Sequence, residues 1–281
     1  MLKQLKRNRV RIALSPGFAA TAWIEGAFRP RVVKKQVLDC TLQPDAEDTG
    51  PWQGAAALLA SIGTELKNTP CDVTVVLSNH FVRYTLVPEN KSLSGTEEEL
   101  AFARYCFGKI HGDRAKAWEV RLTGTASDPA RVASAVDSGL LQAIRGCFPA
   151  GSKARLVSVQ PYLMSAFNLC NEVAGKYATW LLLVEPERAC LACFEGGRWA
   201  AVRNMKGDYQ GPTQWAALLS RERYLAGVAE PRTNVLVHAG PAGRDKSIRV
   251  GKWKFRSLPN PTLPGVSPAE DARLAMALCA H

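Results

Sequence analysis

The chain has 281 residues, 47% of them hydrophobic and 22% charged, with a formal net charge of +11. Such a composition belongs to an ordinary globular protein with room for two cores, and it excludes a disordered chain. It also excludes a membrane helix of roughly 20 apolar residues, since the longest apolar stretches are 180–184 and 55–62.

In chain order, the pattern predicts strands over 10–14, 19–25 and 28–38, the last carrying Arg29, Arg31, Lys34 and Lys35. A polar loop ending at Pro51 leads into an Ala/Leu-rich helix over 52–66 and a strand over 73–77. Together these make a β-β-β-α-β unit. The polar triplet Ser78-Asn79-His80 reads as an ordinary loop after a central strand. A strand over 81–87 and a helix over 96–110 follow, the helix opened by Thr96 and Glu99 at capping-box spacing. Trp118, Val120 and Leu122 alternate on one face of a half-buried strand. Asp128 and Pro129 supply an N-cap and first-turn proline for a helix running to about 148. A strand over 154–159 and a helix from Pro161 bring the chain to Gly175-Lys176, the expected boundary.

The second half opens with three antiparallel strands over 179–184, 189–194 and 198–203. The first of these is nearly all apolar, which places it inside a sheet covered on both faces. A helix over 212–225, a strand over 234–238, a basic edge strand over 247–255 and a helix over 269–280 complete the chain. Sliding the sequence against itself by 170 residues lays 12–26 over 182–196, with Pro16 on Pro186 and Glu25-Gly26 on Glu195-Gly196. The shared plan of strand, proline turn, strand, Glu-Gly turn, strand argues for an internal duplication.

Eight scattered cysteines suit a reducing compartment. Cys190 and Cys193 have the spacing of a redox or zinc pair, but on a strand positions three apart face opposite ways, and no second pair completes a site. They are read as core residues. The basic start, MLKQLKRNRVRIALS, passes straight into a strand without the apolar core of a signal peptide, so a cytoplasmic chain is expected. The positive charge favours polyanions in general. It is read chiefly as a solubilising surface, and nucleic acid is not an expected partner.

A duplicated β-β-β-α-β unit resembles the actin, hexokinase and Hsp70 ATPases. Within that group, residues 73–112, with His80-Phe-Val-Arg83-Tyr-x-Leu-x-Pro88 ahead of an acidic helix start, are similar to the GspL cytoplasmic domain of type II secretion. Residues 154–168 are similar to the segment closing the first domain in GspL and in PilM of type IV pili. The resemblance implies an α/β, duplicated actin-like (ribonuclease H-like) fold with mixed sheets. Domain I would span 1–176, with an inserted α+β subdomain at about 79–125, and a reduced domain II would span 177–281.

It also implies where a nucleotide would sit. Active members carry an Asp followed by Gly in each of two hairpins, the carboxylate for magnesium and the glycine amides for phosphates. Here Ser15 and Gly17 flank Pro16 at the first hairpin, and Glu185-Pro186-Glu187 stands at the second. Serine brings no charge to a metal, proline has no amide to donate, and Glu187 adds negative charge where phosphate would lie. Gly240 and Gly243 fall in the loop on the adenosine side. The run GPAGRDKS around them is not a phosphate-binding loop, because Gly243 and Lys246 are not adjacent and a strand follows.

The resemblance therefore implies a non-catalytic scaffold of a pilus or secretion platform, without a cofactor. It would lie at the cytoplasmic side of the inner membrane, docking the tail of a bitopic partner. Arg29, Arg31, Lys34 and Arg83 are the expected contacts, and basic residues at both chain ends would favour an anionic membrane surface. The alternative is an actin-like enzyme or motor that uses ATP and magnesium at a divergent site.

Overall fold

The computed structural model describes residues 7–40, 52–90, 92–93, 95–124, 130–174, 180–195, 198–227, 233–238, 247–258, 263–267 and 272–280. Strands β1 (Asn8–Ser15), β2 (Phe18–Glu25), β3 (Arg31–Asp39), β4 (Cys71–Leu77) and β8 (Ala154–Pro161) form one mixed sheet in the order β3-β2-β1-β4-β8. Strands β9 (Trp180–Glu185), β10 (Arg188–Glu195), β11 (Arg198–Lys206), β12 (Asn234–His238), β13 (Ile248–Val250) and β14 (Trp253–Ser257) form a second, ordered β11-β10-β9-β12-β14-β13. The first five strands of each sheet follow the same path. In both, the opening hairpin is antiparallel and its first strand pairs in parallel with the fourth. The 170-residue echo holds to the residue, since β1 ends at Ser15 where β9 ends at Glu185, and β2 begins at Phe18 where β10 begins at Arg188.

The near-continuous apolar character of these strands follows from layering. Val10, Ile12 and Leu14 of β1 face a core shared with α1 (Gln53–Leu66) and α3 (Ser138–Gly146), while Ala13 faces the opposite way. On β9, Trp180 and Leu182 face the core under α5 (Pro212–Leu225), and Leu181 and Leu183 face a central core. Helices α4 (Tyr162–Ala174) and α6 (Ala272–Leu278) contribute to that central core from between the sheets. Helix α6 returns to the first sheet, where Arg11 Nη1 donates to Leu278 O at 3.0 Å and Arg273 pairs with Asp39. Cys190 and Cys193 lie in different cores on opposite faces of β10, as their spacing predicts.

A third sheet, β5-β7-β6, is built from β5 (Val82–Pro88), β6 (Trp118–Leu122) and β7 (Ala130–Asp137), backed by α2 (Thr96–His111). Here the expected helix over 128–148 is corrected. Residues 130–137 are the central strand of the unit, hydrogen-bonded on both sides, and helix starts only at Ser138. Pairing with two neighbours overrides the weak local preference of an Ala/Val/Ser segment. Asp128 and Pro129 lie outside the described residues, and the N-cap is Asp137, whose side chain accepts from Gly139 N at 2.8 Å.

Two smaller expectations also change. Gly95, not Thr96, is the N-cap of α2, without a side-chain cap, and Glu99 pairs instead with Arg131 at 3.0 Å. The single strand expected over 247–255 is a hairpin, reversed at Gly251, whose φ of +55° suits a glycine.

Helix packing makes one glycine obligatory. A Cβ on Gly63 would meet Cys147 O of the facing helix end at 2.8 Å, whereas one on Gly108 of α2 would meet nothing within 4 Å. Both are helical glycines, so alanine is intrinsically better at each by about 1 kcal/mol. Gly63→Ala should nevertheless lose about 1–2 kcal/mol through backbone displacement, and Gly108→Ala should gain up to about 1 kcal/mol. Urea unfolding of both variants tests the opposite signs.

Candidate functional site

The two equivalent hairpins lie at the carboxyl ends of central strands, where open α/β sheets place their ligands. Ser15 ends β1 and is 5% exposed; beside it, Ser78 N donates to Leu14 O at 2.9 Å. Gly17 closes the turn with open space around its Cα. Gly240 and Gly243 lie outside the described residues.

Glu185 does not point into open space. Ser78 Oγ donates to one of its carboxylate oxygens, and Asn79 N donates to the other at 3.0 Å. The single Ser78 proton goes to the carboxylate. His80 Nδ1, 2.8 Å from Ser78 Oγ, must therefore carry the proton it shares with that oxygen. The same Nδ1 lies 3.8 Å from Glu185. Three consecutive residues at the end of β4 thus form a receptor for one carboxylate from the other half of the chain.

Further bonds bolt the halves together around this point. Asn204 Nδ2 on β11 donates to the carbonyls of Asn79 at 2.7 Å and Val82 at 2.9 Å, and Arg188 Nη1 donates to Asn204 Oδ1 at 3.2 Å. Tyr84 OH donates to Asn79 Oδ1 at 2.8 Å. Deeper in the interface, Tyr162 on α4 bonds His238 at the end of β12, both buried. Burial, then Cys190 and the charge of Glu185, pushes the Tyr84 hydroxyl well above the tyrosine range; burial, Cys279 and Glu185 do the same to Tyr162. Both hydroxyls remain neutral beside the part-buried Glu185 carboxylate. Among the described residues, Asn79 Nδ2 and Arg188 Nε are buried without a partner.

The hairpin carries backbone strain as well. Glu187 has φ +55°, a left-handed conformation that favours glycine. Glu187→Gly should raise stability by about 0.5–1 kcal/mol, the relief of that strain less the extra chain entropy of glycine. A melting temperature no higher than that of the parent chain would show that the side chain contributes something the backbone does not.

These residues do not suit a magnesium-bound triphosphate. Ser15 brings no charge, Pro186 no amide, and the Glu185 carboxylate is already coordinated by protein donors. Ser78 is fully buried, so its proximity to His80 offers no accessible nucleophile. In the sequence alone, residues 78–80 read as an ordinary loop. The signal is positional: Ser78 and Asn79, directly after the buried strand β4, are fully buried and His80 partly so, and buried polar groups require partners.

The expected contact residues separate into two places. Arg29, Arg31 and Lys34 lie on the β2–β3 turn and β3, beside Phe28, which is 95% exposed. Arg31 pairs with Glu25 at 3.7 Å, and Lys34 with Glu65 at 2.5 Å while lying 5.0 Å from the Trp23 ring centre. Arg83 is not on that surface. It is half-buried in β5, and its Nη1 donates to His80 O at 3.1 Å.

No protein-family model matches the sequence, and no curated protein matches it either. Solved structures do match in three dimensions. A Bacteroides thetaiotaomicron protein with an actin-like ATPase fold and unknown function aligns with a TM-score of 0.57 at 13% identity, covering 84% of this chain and 83% of its own. The cytoplasmic domain of EpsL, an inner-membrane component of the Vibrio cholerae type II secretion system, aligns at 0.55 and 13% identity over 98% and 92%. A PilM-PilN type IV pilus biogenesis complex aligns at 0.53 and 14% identity over 82% and 81%. With two sheets of the same strand path, equivalent hairpins at the carboxyl ends of their central strands and these structural relatives, the chain has the actin-like ATPase fold.

Proposed function

We propose that the chain is a non-catalytic actin-like scaffold of a type II secretion or type IV pilus platform, held at the cytoplasmic face of the inner membrane. The observation that carries the reading is the capture of Glu185 by Ser78 and Asn79, which occupies the hairpin position where a nucleotide-using relative would present its metal ligand. Likeness to EpsL and to PilM in complex with PilN supports the envelope setting. Among the described residues no helix is long and apolar enough to cross a membrane.

The partner would be a bitopic membrane protein whose short cytoplasmic tail docks on the β2–β3 turn. Phe28 offers an exposed apolar anchor there, flanked by Arg29 and Arg31 for acidic groups. Purification from solubilised membranes of the native host should recover a small bitopic protein of a pilus or secretion machine. The double variant Phe28→Ala, Arg29→Glu should lose it without loss of stability. Calorimetry with ATP and magnesium provides the opposing test, and micromolar binding would overturn the non-catalytic reading.

A further inference from the structure

A cleft of about 380 Å³ lies where the inserted three-stranded sheet meets α1 and α3. It lies in the range of small-ligand sites, toward the lower end. Trp52, Phe81 and Leu140 contribute apolar walls, and Trp118 adds a second indole, packed edge-on against His111 with ring centres 4.9 Å apart. The Trp52 ring is fixed by Gly139, where a Cβ would come within 2.9 Å of Trp52 Cζ2.

The polar side of the cleft is cationic. Arg83 lines it, half-buried, and makes no ion pair among the described residues; its Nη1 bonds only the carbonyls of His80 and Val82, at 3.1 and 3.3 Å. A guanidinium removed from water without a carboxylate is costly to hold, and an anion is what would relieve it. Burial, and next the charge of Arg188, pulls Arg83 below the usual arginine range. Burial and the field of Arg83 likewise hold the His111 imidazole below the usual histidine range. Arg114, exposed at the rim, adds a second guanidinium without an ion pair among the described residues. The one acid in the lining, Asp137, accepts from Gly139 N and Leu140 N as the N-cap of α3.

We propose that this cleft binds a small aromatic anion, a single ring bearing a carboxylate or phosphate, with the ring against the indoles and the acid group on Arg83 and Arg114. The assignment is independent of the scaffold reading, because it rests on residues outside the Glu185 contact. His80 lines the cleft and also bonds Ser78, so a bound ligand is one side chain away from the contact between the halves.

Titrating the full chain by calorimetry and tryptophan fluorescence tests the proposal, with phenyl phosphate and benzoate as probes and with phenol and inorganic phosphate as their separate parts. At least one of the two probes should saturate with a Kd of about 0.1–1 mM, as its size allows, and at least tenfold more tightly than either part. Whichever saturates identifies the acid group. Arg83→Gln and Arg114→Ala should each weaken binding at least tenfold, and Arg114→Ala, being exposed, should do so with an unchanged melting temperature. Three results would overturn the proposal: no saturation by either probe up to about 10 mM, equal affinity in both arginine variants, or saturation only by a peptide rich in aromatic and acidic residues.

Discussion

Trp180→Ala should be the most damaging single truncation in the second half, costing about 3–5 kcal/mol. Trp180 is fully buried at the start of β9, the strand that pairs with both β10 and β12. Its ring meets Trp253 edge-on, with centres 6.2 Å apart and planes at 81°, and Trp253 Nε1 donates to Ser220 Oγ on α5 at 2.9 Å. Through Trp253, this side chain therefore links the centre of the sheet to β14 and to the helix above. Removing it leaves a void that this well-connected region cannot close by a local shift. Calorimetry should show the melting temperature fall by roughly 10 °C, with Trp180→Phe losing clearly less. A fall of only a degree or two would mean that α5 and β14 collapse freely into the space.

How much of this fold shows in the sequence depends on whether the signal is local. The strands of the two repeats declare themselves because both faces of each sheet are covered, giving short apolar runs between tight turns at matching positions such as Pro16 and Pro186. The inserted sheet carries a weaker local signal. Residues 130–137 have no strong period, and only pairing with β5 and β6 makes them a strand. The site divides in the same way. Glu185 stands out from sequence because a carboxylate before proline is unusual at a hairpin with a repeat partner. What it does is invisible there, since its receptor lies 107 residues earlier and becomes a receptor only when the end of β9 meets the end of β4. Arg83 is expected at a contact surface by its charge, and the three-stranded sheet half-buries it.

The Glu185 contact should behave as a coupled unit. Hydrogen bonds to a charged group contribute about 1.5–3 kcal/mol, and a buried donor left unsatisfied costs a further 1–3 kcal/mol or so. Glu185→Ala, which removes the acceptor from both Ser78 Oγ and Asn79 N, should therefore cost about 3 kcal/mol. Ser78→Ala should cost about 2 kcal/mol, because Asn79 N keeps its partner while His80 Nδ1 loses one. The double variant should be less damaging than the sum by about 1–2 kcal/mol, the signature of a shared interaction. Glu185→Gln keeps an oxygen for Asn79 N and should fall between parent and alanine. Because the contact joins the two halves of the chain, these losses should come with opening: small-angle scattering of Glu185→Ala should give a larger radius of gyration, and protease should cut it sooner near residues 78–82. If the single losses simply add, or if the chain loses stability without opening, then Glu185 is an ordinary buried carboxylate and the halves are held by their shared apolar core. If coupling and opening appear together, the position used for metal chemistry elsewhere in this fold serves here to hold the two halves in one arrangement.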